Sequence, residues 1–451
     1  MSDIIAAIAT GRAPCAIGIL RLSGPGCAAL TGRVFTPKQP FADAPDRRLV
    51  LGLLHDRQGR VIDECLGVVC RAPHSYTGEE TVELQCHGSP AMLAAGLEAL
   101  LAAGARQAGP GEFTRRAFLN GKLDLTQAEA VVDLIDAETA DASANAAGQL
   151  GGALKRAIEP VYDGLTDLCS HFHAVLDYPD EDIEDFGAAE LSGALDRAGA
   201  ALQELLATYE KGRHLRQGVR AVLLGKPNAG KSSLLNRLAG YDRVIVTDIA
   251  GTTRDTVEEP VRVGRVLLRL TDTAGIREAG DAIEALGVAR SEQAAREAEL
   301  ALFVCDASQP LTDEDRRAIE AAKCAPRSLA LCNKSDLPAA VSPDELPFDT
   351  VLTVSARTGA GLDALPALLE GWFLGENDCD GSLLTNPRQF GALDRASRAI
   401  ERAKTGLGLG VTPDAVLTDV EEAMAALGEV TGRTVREDIT NRIFERFCVG
   451  K

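Results

Sequence analysis

The chain has 451 residues, more than one hydrophobic core usually serves, so about three domains are expected. Hydrophobic residues make up 45% and charged residues 25% of the sequence, a globular composition that excludes a largely disordered chain. The formal net charge of −19 excludes a surface that is basic throughout. A chain this acidic repels nucleic acid unless its basic residues are locally concentrated.

Residues 1–118 predict a small α+β domain. An alanine- and leucine-rich stretch at 90–103 is typical of a helix. It follows β-type runs at 16–22, 49–54, 66–70 and 81–86. Short strands mixed with a single helix are typical of an α+β fold.

Residues 119–217 predict the first part of a helical domain. Apolar residues recur at helical spacing from Leu125 to Ile135, and the pattern resumes over 150–176 and 191–206. Between the last two stretches lies DYPDEDIED, which starts at Asp177 and predicts a solvated turn because of its proline and like charges.

Residues 218–375 predict an α/β domain, since strand-like runs alternate with helical ones and such alternation favours a parallel sheet covered on both faces. Helices return at 392–407 and 414–427 within the last segment, 376–451. The simplest topology inserts the α/β domain into one helical domain whose two parts flank it in sequence.

A phosphate-binding loop is predicted between the first strand and the first helix of the α/β domain. The sequence GKPNAGKS begins at Gly225, and its glycines let backbone N–H groups surround a β-phosphate at the helix N-terminus. Lys231 is expected to reach the β and γ oxygens, and Ser232 offers a hydroxyl to magnesium. This loop alone does not discriminate ATP from GTP.

The base is predicted from Asn333-Lys334-Ser335-Asp336, which follows a later strand. Guanine presents two adjacent donors, and the two acceptors of the Asp336 carboxylate match them, whereas adenine offers one donor beside an acceptor. The tetrad stands in order between DTAG, at Asp272, and Ser355-Ala356. The sequence therefore predicts a GTP-binding domain.

The γ-phosphate side of the site is predicted from two further motifs. Asp272 is expected to hold magnesium through water, and the Gly275 amide to sense the γ-phosphate. In GTTRD, Thr253 is favoured over Thr252 for completing the magnesium shell. Ile276 occupies the position where many small GTPases carry a water-orienting glutamine, so another group must align the attacking water.

Several motifs together resemble the family of tRNA-modification GTPases MnmE (TrmE), over essentially the whole chain. They are GKPNAGKSSLLN, TDIAGTTRD, DTAGIRE, NKSD, GEFTRRAFLNGKLDLTQAEAV and the terminal FCVGK. The resemblance implies an α/β P-loop G domain inserted into an all-α helical domain, preceded by an α+β folate-binding-like N-terminal domain that forms a homodimer. It also implies a GTPase that requires potassium and is activated by dimerisation of its G domains.

The substrate implied by the resemblance is the wobble uridine of certain tRNAs. The resemblance also implies that a carboxymethylaminomethyl or aminomethyl group is added at C5 together with a flavin-bearing partner protein. No dinucleotide-binding fingerprint of the kind that a flavin site requires occurs in this chain.

The resemblance also assigns residues of the G domain. Potassium would be bound by Asn228, Thr247, Ile249 and Thr252. Glu284 would orient the attacking water, so Glu284, Lys231 and Thr252 are the catalytic candidates. The full set expected at GTP is Asn228, Ala229, Gly230, Lys231, Ser232, Ser233, Thr247, Asp248, Ile249, Ala250, Gly251, Thr252, Thr253, Asp272, Thr273, Ala274, Gly275, Asn333, Lys334, Asp336, Ser355, Ala356 and Arg357.

A formyl-tetrahydrofolate site is implied for the N-terminal domain. Its residues would be Arg21, Glu83, Lys122 and, from the tail, Lys451. The family's tail points toward this site, which leaves open a chemical role for Cys448. Simple packing of neighbouring phenylalanines with an exposed thiol is the alternative, and without the resemblance the three charged residues of the domain are ordinary surface charges.

Other functions stay open at this stage. A ribosome-assembly GTPase would share the central motifs, although it commonly adds a basic RNA-binding module. A folate-dependent one-carbon transferase regulated by GTP is the alternative of another class. A basic patch for tRNA could include Arg115, Arg116, Arg433, Arg436, Arg442 and Arg446, although a solvated helical face explains these residues as well.

The cellular setting is predicted from cysteines and hydropathy. The 11 cysteines include no CxxC pair, which favours a reducing cytoplasm over an oxidising compartment. Apolar runs stop short of the roughly 20 residues that span a bilayer. We therefore expect a cytoplasmic protein without a membrane partner.

Overall fold

The computed structural model describes residues 3–11, 13–38, 45–177, 188–241, 258–271, 284–375, 380–433, 443–444 and 447–450. The chain divides into two compact units. The first comprises Met1–Val132, Leu150–Ala188 and Arg402–Lys451, and the second comprises Asp133–Gln149 and Ala189–Glu401. The predicted domain boundaries remain predictions.

The described secondary structure is numbered in chain order. The strands are β1 (Ile5–Ile8), β2 (Cys15–Ser23), β3 (Phe35–Pro37), β4 (Val50–His55), β5 (Val61–Cys70), β6 (Thr81–Gly88), β7 (Arg106–Gln107), β8 (Val219–Leu224), β9 (Glu258–Val263), β10 (Val266–Thr271), β11 (Leu300–Asp306), β12 (Arg327–Asn333) and β13 (Val351–Thr353). The helices are α1 (Cys27–Thr31), α2 (Pro90–Ala102), α3 (Glu112–Leu119), α4 (Leu125–Ile135), α5 (Ala140–Leu150), α6 (Ala153–Asp177), α7 (Ala188–Ala207), α8 (Tyr209–Gln217), α9 (Lys231–Tyr241), α10 (Glu284–Glu297), α11 (Asp313–Ala322), α12 (Ala364–Phe373), α13 (Pro387–Gly408) and α14 (Pro413–Thr431). The predicted turn after Asp177 lies outside the described residues.

The first unit contains a seven-stranded sheet in the order β3-β4-β5-β6-β2-β1-β7. Its neighbours are antiparallel except β1 and β7, which are parallel. Leu20 of β2 and Leu84 of β6 belong to the same buried cluster as Leu93 and Leu100 of α2. One face of the sheet is therefore covered by the helix that the sequence predicted.

Helices complete the first unit. Helices α6 and α14 pack along each other, and Phe444 and Phe447 near the chain end join a small apolar cluster with Ala128 and Val131 of α4. Both phenylalanines are buried. The tail is therefore fixed to this unit by aromatic packing.

The second unit contains a six-stranded sheet in the order β13-β12-β11-β8-β10-β9. All neighbours are parallel except the β9–β10 hairpin. Along β8, Ala221 and Leu223 face one apolar core, whereas Val222 and Leu224 face the other. A strand buried on both faces needs apolar residues on both, which explains the run AVLL over residues 221–224; Arg220 before it is exposed.

The parallel sheet determines where a site forms, because the carboxyl ends of its parallel strands lie at one edge. Strands β10 and β11 flank β8 on opposite sides, so the strand order changes direction there and leaves a crevice above β8. The expected fold class, an α/β domain within helical segments after an α+β domain, is confirmed. Among the described helices, none is both long and apolar enough to cross a bilayer.

Candidate nucleotide site

The loop between β8 and α9 has the backbone of a phosphate-binding loop. Gly225 has φ 143° and Gly230 has φ 100°, in the region that favours glycine. A Cβ on Gly225 would collide with the Val304 carbonyl oxygen, and one on Gly230 would collide with the Asn333 amide. Neither position accommodates a side chain, so both glycines are required by packing as well as by conformation.

Lys231 and the two serines stand at the first turn of α9. The Lys231 Nζ donates to the carbonyl oxygens of Gly225 at 2.6 Å and Lys226 at 2.9 Å, which holds the ammonium across the loop. Ser232 and Ser233 are exposed at the N-terminal end of the helix. This combination of ammonium, helix N-terminus and hydroxyls binds anionic phosphate and its metal ion in proteins.

Asn333 connects three loops. Its Nδ2 donates to the Ala229 carbonyl oxygen at 2.9 Å, and its Oδ1 accepts from the Ala356 backbone N–H at 2.9 Å. The side chain is 2% exposed, so both bonds are shielded from water. The residue therefore ties the phosphate loop to the two loops expected at the base.

Asp336 is held ready to accept hydrogen bonds from a base. Its Oδ1 accepts from the Ser355 hydroxyl at 2.6 Å, and its Oδ2 lies 2.8 Å from the Arg357 guanidinium. The Ser355 hydrogen bond and the positive charge of Arg357 hold the pKa of the Asp336 carboxyl below its ordinary value. An ionised carboxylate is what the two adjacent donors of guanine require.

Lys334 has a partner that sequence reasoning missed. Its Nζ lies 2.7 Å from Asp306 Oδ2, and Ser308 donates its hydroxyl and backbone N–H to Asp306 Oδ1 at 2.6 and 3.0 Å. Burial raises the pKa of Asp306, but the hydrogen bonds from Lys334 and Ser308 outweigh it and lower the pKa. The sequence offered one signal for this partner, since Asp306 is a charged residue at the end of the otherwise apolar strand β11.

Part of the expected site lies outside the described residues. These are Thr247, Asp248, Ile249, Ala250, Gly251, Thr252, Thr253, Asp272, Thr273, Ala274 and Gly275. Glu284 is the first residue of α10, and its side chain is among those not described. For magnesium the structure thus places only Ser232, and for potassium only Asn228.

The two placed metal candidates fit their proposed ions chemically. Asn228 is exposed and has φ 64°, a conformation that asparagine tolerates better than most residues. Its amide oxygen and the Ser232 hydroxyl are hard oxygen donors, which suit potassium and magnesium. Nothing in the loop geometry conflicts with either ion.

In the first unit, two of the expected folate residues meet. Arg21 and Glu83 are direct register partners on β2 and β6, with Nε 2.8 Å from Oε1. The Arg21 guanidinium lies 5.5 Å from the ring centre of Tyr76 and 5.7 Å from that of Phe113, within cation–π range. Lys122 is exposed, and Lys451 lies outside the described residues.

The C-terminal tail lies against the same domain. The Arg21 Nη1 donates to the Gly450 carbonyl oxygen at 3.4 Å, and Val449 forms an isolated β-bridge with Pro110. The Cys448 carbonyl oxygen accepts from the Gly111 N–H at 3.3 Å, while the residue itself is exposed. These contacts, together with the packing of Phe444 and Phe447, seat the tail beside Arg21.

Two members of the basic patch considered for tRNA, Arg116 and Arg433, are paired with carboxylates. Arg116 is buried and forms ion pairs with Asp3 at 2.7 Å, Glu79 at 2.9 Å and Glu112 at 3.1 Å. Arg433 pairs with Glu159 at 2.9 Å. The other proposed members from the chain end, Arg436, Arg442 and Arg446, lie outside the described residues.

Comparisons with known proteins agree with this geometry. A family described as the MnmE helical domain matches residues 125–448, and one described as the GTP-binding protein TrmE N-terminus matches residues 4–122. Together they extend over both units.

Full-length relatives are each named tRNA modification GTPase MnmE. The chain is 45% identical to the protein of Roseiflexus sp. (strain RS-1) over 465 residues, covering 100% of this chain and 99% of the relative. It is 43% identical to that of Xanthomonas campestris pv. campestris (strain 8004), covering 100% and 99%, and 41% identical to that of Aquifex aeolicus (strain VF5), covering 100% of each.

Proposed function

Because the chain belongs to the MnmE family of tRNA modification GTPases, we propose that it uses GTP hydrolysis to drive modification of the wobble uridine of certain tRNAs. It is a GTPase. The observation that carries the proposal is that the similarity covers the segments outside the nucleotide unit as well as the unit itself. A GTPase with a different task, such as ribosome assembly, would share only the latter.

In this proposal the nucleotide is held by groups of this chain. Backbone N–H groups of the phosphate loop and Lys231 bind the phosphates, and Asp336 selects guanine. Ser232 and Thr253 would hold magnesium directly and Asp272 through water, and the ion would neutralise charge between the β and γ phosphates. Ser355, by donating to Asp336, keeps the carboxylate aimed and ionised.

Hydrolysis in this chain has to proceed without the common glutamine. Ile276 offers no hydrogen-bonding group, so Glu284 would orient the attacking water. Asn228 with Thr247, Ile249 and Thr252 would hold potassium, which supplies positive charge where other GTPases use an arginine. Association of two G domains would complete this arrangement.

The tRNA chemistry would be shared with other components. A flavin-bearing partner protein would act with a homodimer of this chain to add the carboxymethylaminomethyl or aminomethyl group at C5. Arg21 and Glu83, with Lys122 and Lys451, would bind a formyl-tetrahydrofolate or a related folate. The cation–π walls and ion pair around Arg21 support that assignment, because they hold its guanidinium in place before any ligand arrives.

GTP turnover measured in potassium and in sodium at equal ionic strength tests the proposal. We expect turnover at least about tenfold faster in potassium, since one preorganised positive group at a phosphoryl-transfer site is typically worth that much or more. Asn228→Ala should lose most of the stimulation. Equal turnover in the two salts would reject the potassium site while leaving guanine recognition intact.

Glu284→Ala tests the water-orienting role. We expect kcat to fall about 100-fold with GDP affinity unchanged within about twofold, because the residue acts only on the attacking water. Glu292→Ala on the same helix, where Glu292 pairs with Arg296 at 3.8 Å, is the matched control and should retain turnover. Equal loss of affinity and turnover would contradict the role.

Nucleoside analysis of tRNA from a deletion strain carrying each variant then tests the link to modification.

A further inference from the structure

The connection between β11 and α11 bears two carboxylates that hold lysines of the nucleotide loops. Asp306 ends β11 and pairs with Lys334, as described above. Asp315, in the first turn of α11, is fully buried, and its Oδ2 lies 2.9 Å from the Nζ of Lys226. Lys226 is the second residue of the phosphate loop, and its side chain is 11% exposed. One connection therefore contacts both loops that surround the nucleotide.

Asp315 is itself rigidly placed. Its Oδ2 accepts from the Thr312 N–H at 2.9 Å and from the Thr312 hydroxyl at 2.8 Å, and the Asp315 N–H donates to the Thr312 hydroxyl in return. This reciprocal capping box begins α11 and fixes the Asp315 carboxylate independently of Lys226. A side chain locked by its own helix start is suited to hold a loop.

Lys226 passes this constraint to the phosphate-binding lysine. Its carbonyl oxygen accepts from Lys231 Nζ at 2.9 Å and from the Ala229 N–H at 3.3 Å. Because the Lys226 ammonium is engaged by a buried carboxylate, it is an anchor of the loop rather than a phosphate ligand. Fixing its side chain therefore fixes the backbone that orients Lys231.

We propose that the β11–α11 connection is a positioning bracket for both nucleotide loops, in which Asp315 holds Lys226 of the phosphate loop and Asp306 holds Lys334 of the base loop. A cavity of about 540 Å³ opens between them and is lined by both lysines, Asn228, Asp306 and Thr312 among others. Asp306 and Asp315 are positioning residues, because they act through the lysines. The proposal rests on the GTPase assignment and adds residues that the recognised motifs do not include.

A purely structural role for Asp315, as a helix cap, is the alternative. The two roles differ in what they change: a cap stabilises α11, whereas the bracket also slows release of nucleotide. Glu320 offers a matched control, since it lies on the same helix outside the cavity and its side chain is 72% exposed. Glu320→Gln removes the same charge from the same helix without touching Lys226.

Dissociation of a fluorescent GDP analogue from the full-length protein tests the bracket. We expect Asp315→Asn and Lys226→Met each to accelerate dissociation about tenfold, because each leaves the other partner buried without its counter-charge. The double variant should be no worse than the poorer single variant, since the two changes remove one shared interaction.

Several results would overturn the bracket. They are a wild-type dissociation rate in a folded Asp315→Asn protein, an equal acceleration in Glu320→Gln, or about a 100-fold acceleration in the double variant, which would mark two independent effects. If Asp315→Asn fails to fold, Lys226→Met and the double variant decide the question. Because GDP release needs neither potassium nor tRNA, this result is independent of the proposed tRNA function.

Discussion

The nucleotide site and the Arg21 region of the first unit are assembled in different ways. The residues proposed to select the base, Asn333 to Asp336, are neighbours that run from the end of β12 into the loop that follows it. Arg21 and Glu83, by contrast, are 62 residues apart in sequence and meet only because β2 and β6 pair in register. The functional residues of a contiguous loop can be recognised in the sequence, whereas a cross-strand ion pair can be recognised only once the strand register is known.

The two regions also differ in how their charges are supported. Asp336 and Asn333 belong to a network that joins three loops, and Asn333 is almost fully buried. The side chains of Arg21 and Glu83 retain 18% and 27% exposure, and aromatic rings flank the arginine. We therefore expect single substitutions to reduce ligand affinity more at the nucleotide site than at the Arg21 region of the first unit.

The largest effect is expected from Asp336→Asn. Replacing a carboxylate by an amide leaves one guanine donor facing a donor, so GTP affinity should fall about 100-fold or more. Xanthosine triphosphate, whose base has a carbonyl in place of the amine, should be preferred by the variant. Competition binding with the two nucleotides measures this, with Asp349→Asn, an exposed site in the same unit, as the control. Unchanged preference would remove the basis for the guanine assignment.

A smaller effect is expected from Arg21→Ala and Glu83→Gln. If the ion pair binds the polar edge of a folate, each variant should weaken binding of a formyl-tetrahydrofolate about tenfold, as measured by calorimetry on the full-length protein. GDP affinity should be unchanged, because the residues belong to the other unit. Arg33→Ala, a change at an exposed arginine of the same domain, is the control. Native folate affinity in both variants would exclude this pair from the site.

The smallest effect concerns acid sensitivity. Burial raises the pKa of Glu299, but hydrogen bonds from His214 and Arg213 lower it by more than burial raises it. The pKa of Glu299 therefore lies well below its ordinary value of 4.5. A carboxyl group with a depressed pKa stabilises the fold fully above its unfolded pKa and loses that contribution as the pH falls through the folded value. Glu299→Gln should thus cost about 1–2 kcal/mol near pH 7, and the difference from wild type should shrink below pH 4.5.

Asp3 supplies the comparison in the first unit. Hydrogen bonding from Arg106 is the main cause that lowers the pKa of Asp3 to about 2, yet its side chain is 56% exposed. Solvent screening weakens such exposed pairs, so Asp3→Asn should cost less than Glu299→Gln. Urea unfolding at several pH values, followed by the fluorescence of Trp372 for the second unit and by calorimetry for both, tests the order. A larger loss of unfolding free energy for Asp3→Asn than for Glu299→Gln would contradict the expected order.

Much of the fold followed from local pattern. The runs 16–22, 66–70 and 81–86 lie within β2, β5 and β6, the run 49–54 is offset by one residue from β4, and the predicted helix at 90–103 matches α2 to one residue at its end. The strands β1, β3, β7, β9 and β13 were missed; all but β9 have only two to four residues, which carry too little periodicity. Helices α5 and α8 were also missed; α5 is rich in alanine with only one large apolar residue, and α8 is mostly polar.

The sequence by itself determined the alternation of strands and helices and marked the glycine-rich loop after β8 and the NKSD tetrad after β12, because each depends on residues that are adjacent along the chain. Only the tertiary structure decided that Arg21 faces Glu83, that Asp315 and Asp306 hold Lys226 and Lys334, and that Arg116 is buried among carboxylates. These pairings depend on strand register and on packing between distant segments, which no local pattern specifies.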